Sequence, residues 1–148
     1  MKKEELAQIR QFNRFYTTQL NLMDHHHLGS TTTLLEGRIM LEISYGYRTV
    51  NQLVKILNLD KGYVSRTIKQ LVGRQWLKSA VDPQDRRSKI LTLTAQGRQV
   101  VDQVNKSSDE QVQTILAALS ADELATVVRD MNEIQEIVNR YHPVDFGK

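Results

Sequence analysis

The sequence contains no cysteine and only two prolines, Pro83 and Pro143. Disulfides, thiolate metal sites and thiol-based oxidation sensing are therefore excluded. No apolar run approaches the roughly 18 residues that a membrane helix needs. The N-terminal MKKEELAQIR also lacks the apolar centre of a secretory signal, so a cytoplasmic protein with no membrane attachment is expected. Gly-rich phosphate loops, a nucleophile elbow and a HExxH helix are absent as well. On that basis no catalytic residue, no cofactor and no enzymatic activity are expected. Internal repeats and low-complexity tracts are missing too.

What is present is an ordinary globular composition, 40% hydrophobic and 25% charged over 148 residues, enough for one domain with attached helices. The net charge of +3 is unevenly spread. Residues 61 to 98 carry nine Lys and Arg against Asp82 and Asp85, a local net of +7, and the remainder of the chain is acidic by 4. A basic middle between acidic ends suits a polyanion-binding module mounted on another structure.

Periodicity and capping signals order the elements. Leu6, Ile9, Phe12, Tyr16 and Leu20 stand at helical spacing over Lys3 to Leu22. Thr33 with Glu36 forms a capping box, predicting a helix that turns Ile39, Met40 and Ile43 inward and ends near Tyr45–Gly46. Thr49 with Gln52 repeats the pattern ahead of Leu53, Ile56 and Leu57. Asn58 suits a left-handed turn, and Asp60 caps a helix from Lys61 to about Val72 with Val64, Ile68 and Leu71 inward. Two short helices around a tight turn make a helix-turn-helix. Strands are expected over Trp76–Val81 and Lys89–Leu93, joined by the polar DPQDRRS. Thr94 then caps a long helix to about Leu119, and Ser120 with Glu123 opens the last one. The fold class is mainly α with a small β-wing: a winged helix-turn-helix over residues 33–94, flanked by helices in 1–32 and 95–148. The terminal helices and the long helix cannot all cover themselves on so small a domain, so their apolar stripes are expected to meet a second subunit.

With Val64, Ile68 and Leu71 inward, the third helix turns out Lys61, Gly62, Tyr63, Ser65, Arg66, Lys69 and Gln70. Ser65, Arg66 and Gln70 suit base edges in a major groove, Tyr63 a thymine methyl or a phosphate, and Lys61 and Lys69 the backbone. Gly62 lets the helix start approach closely, where first-turn N–H groups favour a phosphate. At the hairpin, Arg87 is expected in the narrow, negative minor groove and Arg86 on phosphate, with Lys89 close behind. Asp85 is badly placed for DNA and is expected to hydrogen-bond an arginine's fork-shaped guanidinium and hold it in position.

The stretches LDKGYVSRTIKQL and DPQDRRSKILTLTAQG resemble the MarR (multiple antibiotic resistance regulator) family of winged-helix transcription factors. The resemblance extends over nearly the whole chain. It implies a homodimer built from the first and last two helices, an inverted-repeat operator in double-stranded DNA, and a ligand pocket between the dimer region and the DNA-binding lobe. The implied function is a ligand-responsive repressor. Gln75 departs from the family's usual Gly before the wing, and Val54 stands where Ala is common. The N-terminal run is also similar to the regulator half of proteins fused to a GNAT-type acetyltransferase. That reading stays open, as does a winged-helix module that binds an acidic protein.

Tyr16, Tyr45, Tyr47 and Trp76 are candidate walls for an aromatic or phenolic effector. Three consecutive histidines, His25 to His27, do not converge on one ion, and a structural Zn²⁺ needs about four ligands. No metal site is expected.

Overall fold

A computed structural model describes residues 1–19 and 32–144. The elements run α1 (Lys3–Gln19), α2 (Leu34–Ser44), α3 (Val50–Leu57), α4 (Lys61–Gly73), β1 (Leu77–Val81), β2 (Lys89–Leu93), α5 (Ala95–Leu116) and α6 (Ala121–Asn139). This is the expected order, mainly α with one two-stranded antiparallel wing. Leu20, the histidine run and the last four residues lie outside the described residues.

Local chemistry starts each helix. Thr33 Oγ1 accepts the Glu36 N–H at 3.2 Å while Glu36 Oε2 accepts the Thr33 N–H at 2.9 Å. The same reciprocal box opens α3 with Thr49 and Gln52, and α6 with Ser120 and Glu123. These bonds satisfy N–H groups that a helix start leaves without partners. The Ser120 backbone N–H, and then its hydroxyl, hold the Glu123 carboxyl below its usual pKa. Its contribution is therefore present above the ordinary carboxylate pKa and is lost as pH falls through the lowered value.

Left-handed residues end three helices. Gly46 (φ +105°), Asn58 (φ +51°) and Gln75 (φ +61°) follow α2, α3 and α4. At each, the next N–H reaches back five residues to a carbonyl: Tyr47 to Glu42, Leu59 to Val54, and Trp76 to Leu71. Gly and Asn adopt this conformation readily; Gln carries the steric cost of its Cβ. The turn at Gln75 also takes Trp76 out of the expected strand, so β1 begins at Leu77.

α2 is the central helix. Glu36, Gly37, Ile39, Met40, Glu42 and Ile43 are all buried on it, a nearly all-round burial that only an interior helix shows. Ile39, Met40, Leu53, Val64, Leu71, Leu77 and Leu91 form the centre of the core. In the wing, Leu77 faces Leu93 and Ser79 faces Leu91. The Arg48 carbonyl accepts the Leu91 N–H at 2.8 Å, tying the α2–α3 connection to the free edge of β2. Val54 packs partly buried against this core.

The wing is joined to α5 by a tight contact. The Thr94 N–H donates to the Trp76 carbonyl at 3.0 Å, and its hydroxyl donates to the Gln75 carbonyl at 2.7 Å and accepts the Gly97 N–H at 2.9 Å. A Cβ on Gly97 would drive into the Trp76 carbonyl.

Beyond this point the chain covers little of itself. No residue of α1 or α6 is buried, and Ile9, Phe12, Phe15, Val128, Ile134 and Val138 are each about half exposed. α5 ends at Leu116, short of the expected Leu119, and buries only Gly97, Val101 and Val104. The surface totals 11317 Å², where a compact monomer of 17.1 kDa shows about 7,800 Å².

Gly97→Ala is expected to lower stability by about 2–4 kcal/mol, because backbone must move to admit the methyl. Gly73→Ala meets nothing within 4 Å and is expected to raise stability by about 0.5–1 kcal/mol through helix propensity. Urea unfolding of both variants checks the contrast.

Candidate nucleic-acid interface

α4 is positioned by its cap and its inner face. Asp60 Oδ1 accepts the Tyr63 N–H at 2.9 Å, and Val64, Thr67, Ile68 and Leu71 are buried. Thr67 was not among the expected inward residues; its hydroxyl donates to the Tyr63 carbonyl at 3.2 Å, which lets it sit inside. Lys61, Gly62, Tyr63, Ser65, Arg66, Lys69 and Gln70 are all exposed. A Cβ on Gly62 would stand 3.0 Å from Asp60 Oδ1 and 3.4 Å from Arg66 Nη1. The glycine thus leaves room for the capping carboxylate and for a guanidinium lying along the first turn.

The wing tip is closed by its own polar groups. The Asp82 N–H donates to the Ser88 carbonyl at 3.0 Å, and the Ser88 N–H to the Asp85 carbonyl at 2.8 Å. Asp82 Oδ1 accepts the Gln84 N–H at 2.8 Å and Asp85 Oδ1 accepts the Arg87 N–H at 3.0 Å. Asp85 therefore holds Arg87 chiefly by the main chain. Its approach to the guanidinium, 3.6 Å at Nε, is an ion pair and longer than a hydrogen bond. The expected side-chain bond is corrected accordingly. The Arg87 side chain is 95% exposed, and Arg86 and Lys89 are exposed beside it. Among the described residues, Lys61, Arg66, Lys69, Arg86 and Lys89 have no carboxylate within 4 Å. Lys55 at the end of α3 and Lys78 on β1 are exposed cations that motif reading passed over; their charge was the only available signal.

Two acids are less exposed than their spacing implied. Glu42 is 1% exposed, pairing with Arg38 Nη2 at 2.7 Å, and Glu36 is 4% exposed with Arg74 Nη1 at 3.4 Å. The Arg38–Glu42 spacing of four residues is that of an ordinary surface pair, so nothing in the sequence signalled its burial.

The four candidate effector aromatics do not line one cavity. Tyr16 stacks on Phe12 at 5.7 Å within α1, Tyr45 is 55% exposed and Trp76 is 8% exposed in the core. Tyr47 lines a cavity of about 190 Å³ with Gln52, Lys55, Ile56, Pro143 and Val144. A larger groove of about 430 Å³ lies between α2, the wing and α5, with Ser44, Arg48, Arg98, Asp102 and Asn105 among its walls. Among the described residues no group of three or more His, Asp or Glu could hold a metal ion, and no helix is long and apolar enough to cross a membrane.

A helix-turn-helix followed by a two-stranded wing defines a winged-helix protein. Residues 30–88 match the model of the MarR family. The multiple antibiotic resistance protein MarR of Salmonella typhimurium is 29% identical over 83 residues, 55% of this chain and 58% of that protein. The chain thus spans little more than half the length of that curated relative. Solved structures share the fold: a mutant MarR from E. coli complexed with operator DNA (TM-score 0.72, 22% identity, 88% of this chain and 95% of that one), and BpsR from Bordetella bronchiseptica, whose DNA binding is regulated by 6-hydroxynicotinic acid (TM-score 0.68, 21% identity, 85% and 96%). Over residues 30–88 the chain is similar to the MarR family, and it shares the winged-helix fold of these solved structures.

Asp85→Ala is expected to loosen the tip. The backbone order parameter of Arg87 should drop from about 0.85 toward 0.6, as measured by ¹⁵N relaxation, while that of α4 stays unchanged.

Proposed function

We propose that this protein is a sequence-specific DNA-binding transcriptional regulator, acting as a ligand-responsive repressor on an inverted-repeat operator. The observation that carries the reading is the solvent-facing row of cations on α4 and the wing, in which Lys61, Arg66, Lys69, Arg86 and Lys89 have no carboxylate within 4 Å among the described residues. Cations left free in this way suit a line of phosphates, whose neutralisation releases counterions. In this reading α4 enters a major groove. Ser65, Arg66 and Gln70 read base edges, Tyr63 touches a thymine methyl or a phosphate, Lys61 and Lys69 hold the backbone, and Gly62 admits close approach. Arg87 enters the adjacent minor groove, Arg86 and Lys89 meet phosphate, and Asp85 shapes the tip.

The protein acts as a homodimer in this proposal. The half-exposed apolar side chains of α1 and α6 are the kind of surface that obligate interfaces bury. Residues 33–94 form the DNA-binding lobe, and two-fold symmetry sets half-sites about one helical turn apart. The effector is a small aromatic or phenolic anion. The groove beside Arg48 and Arg98 offers it two guanidiniums, a better chemical match than the scattered aromatics. Binding there shifts the population toward a spacing that no longer fits the duplex. The reading assigns the chain no catalytic step and places it in the cytoplasm.

Selection of duplex DNA from a random pool, followed by gel-shift titration over salt, tests the reading. Arg87→Ala is expected to weaken binding by about 1–3 kcal/mol, and Arg66→Ala to relax sequence preference. Lys69→Ala should weaken all sequences alike and reduce the salt slope by about 0.9. A salt-insensitive duplex interaction, with tight binding to an acidic protein in its place, would reject the proposal.

A further inference from the structure

The turn that ends α4 carries contacts besides those with Thr94. The Arg74 guanidinium lies 4.9 Å from the centroid of the Trp76 ring, and its Nη1 is 3.4 Å from Glu36 Oε2. The left-handed Gln75 between them turns the chain so that side chains two residues apart meet. The same Glu36 oxygen accepts the Thr33 N–H. One buried carboxylate oxygen thus closes the start of α2 and anchors the end of α4.

Arg74 has a half-exposed side chain just past the proposed reading helix, and by charge alone it would count as a phosphate ligand. Its surroundings argue against that. The guanidinium is engaged by a buried carboxylate and an indole face, an arrangement that suits a planar cation. We infer that Arg74 is a positioning residue for DNA reading: with Glu36 and Trp76 it fixes α4 and the root of the wing against α2, without touching the duplex. The inference rests on the DNA-binding reading above. The clamp sits where α2, α4, the wing and α5 converge, so a displacement of α2 passes to both reading elements together.

The test uses the full chain and a duplex selected from the random pool. Stoichiometric titration first counts binding-competent molecules; the Kd of those molecules is then followed over a salt series. Glu36→Gln is expected to raise Kd about tenfold at an unchanged salt slope. Gln keeps the acceptor that the capping box needs, so the start of α2 is preserved. A purely electrostatic effect has the opposite sign, because removing an acid beside a cationic lobe tightens DNA binding. Arg74→Met should produce a similar loss, the double variant should bind no worse than either single one, and Arg74→Lys should fail to restore affinity. Wild-type or tighter binding by Glu36→Gln overturns the inference. So does full rescue by Arg74→Lys, or a salt slope shallower by about 0.9 in Arg74→Met, the mark of a lost phosphate contact. Failure of the wild-type chain to bind any selected duplex overturns the underlying reading and the inference with it.

Discussion

The carbonyl of Trp76 is the point on which the arrangement turns. It accepts the Thr94 N–H and lies where any side chain at Gly97 would have to go. That contact brings the root of the wing against the first turn of α5, and the adjacent Gln75 carbonyl receives the Thr94 hydroxyl. Because Trp76 also follows directly from the end of α4, one short turn fixes three elements at once. The angle between helix and hairpin, on which any shared use of two grooves depends, is set by main-chain hydrogen bonds and by a missing methyl group. Side-chain packing completes it.

Charge is sorted by depth in this lobe. The buried ionisable side chains are acids, Glu36 and Glu42, each paired with an arginine that reaches the surface. The exposed cations of α4 and the wing are mostly left without acid partners. Burying a carboxylate is costly unless it is paired and hydrogen-bonded, and both arginines lie against α2, so the pairs brace the lobe internally. The outward field stays positive because Lys and Arg outnumber the surface acids there and two further carboxylates are enclosed.

Much of this was legible because helix signals are local. Capping boxes at Thr33, Thr49 and Ser120 each depend on residues three apart, and the left-handed Asn58 is a residue type that favours that conformation. The outward face of α4 follows from helical period once Val64, Ile68 and Leu71 are inward. What could not be read depends on tertiary context. Gln has no preference for the left-handed region, so the turn at Gln75 was signalled only by the Gly that the similar family usually carries there, and the removal of Trp76 from the strand left no mark in the pattern. The Arg38–Glu42 spacing is the same on a surface helix as on a central one. An aromatic residue in the sequence signals neither its burial nor its neighbours, so nothing in the pattern showed that Tyr16, Tyr45, Tyr47 and Trp76 lie apart.

The bare apolar stripes of α1 and α6 have a genetic corollary under the homodimer proposal. Pairing would be encoded in helices separate from those that face the duplex, so a chain damaged only in α4 would still find partners. Each mixed pair would carry a single working reader. A minority of such chains would then poison the intact population, and lesions in the reading helix would behave as dominant alleles, whereas lesions in the pairing helices would be recessive.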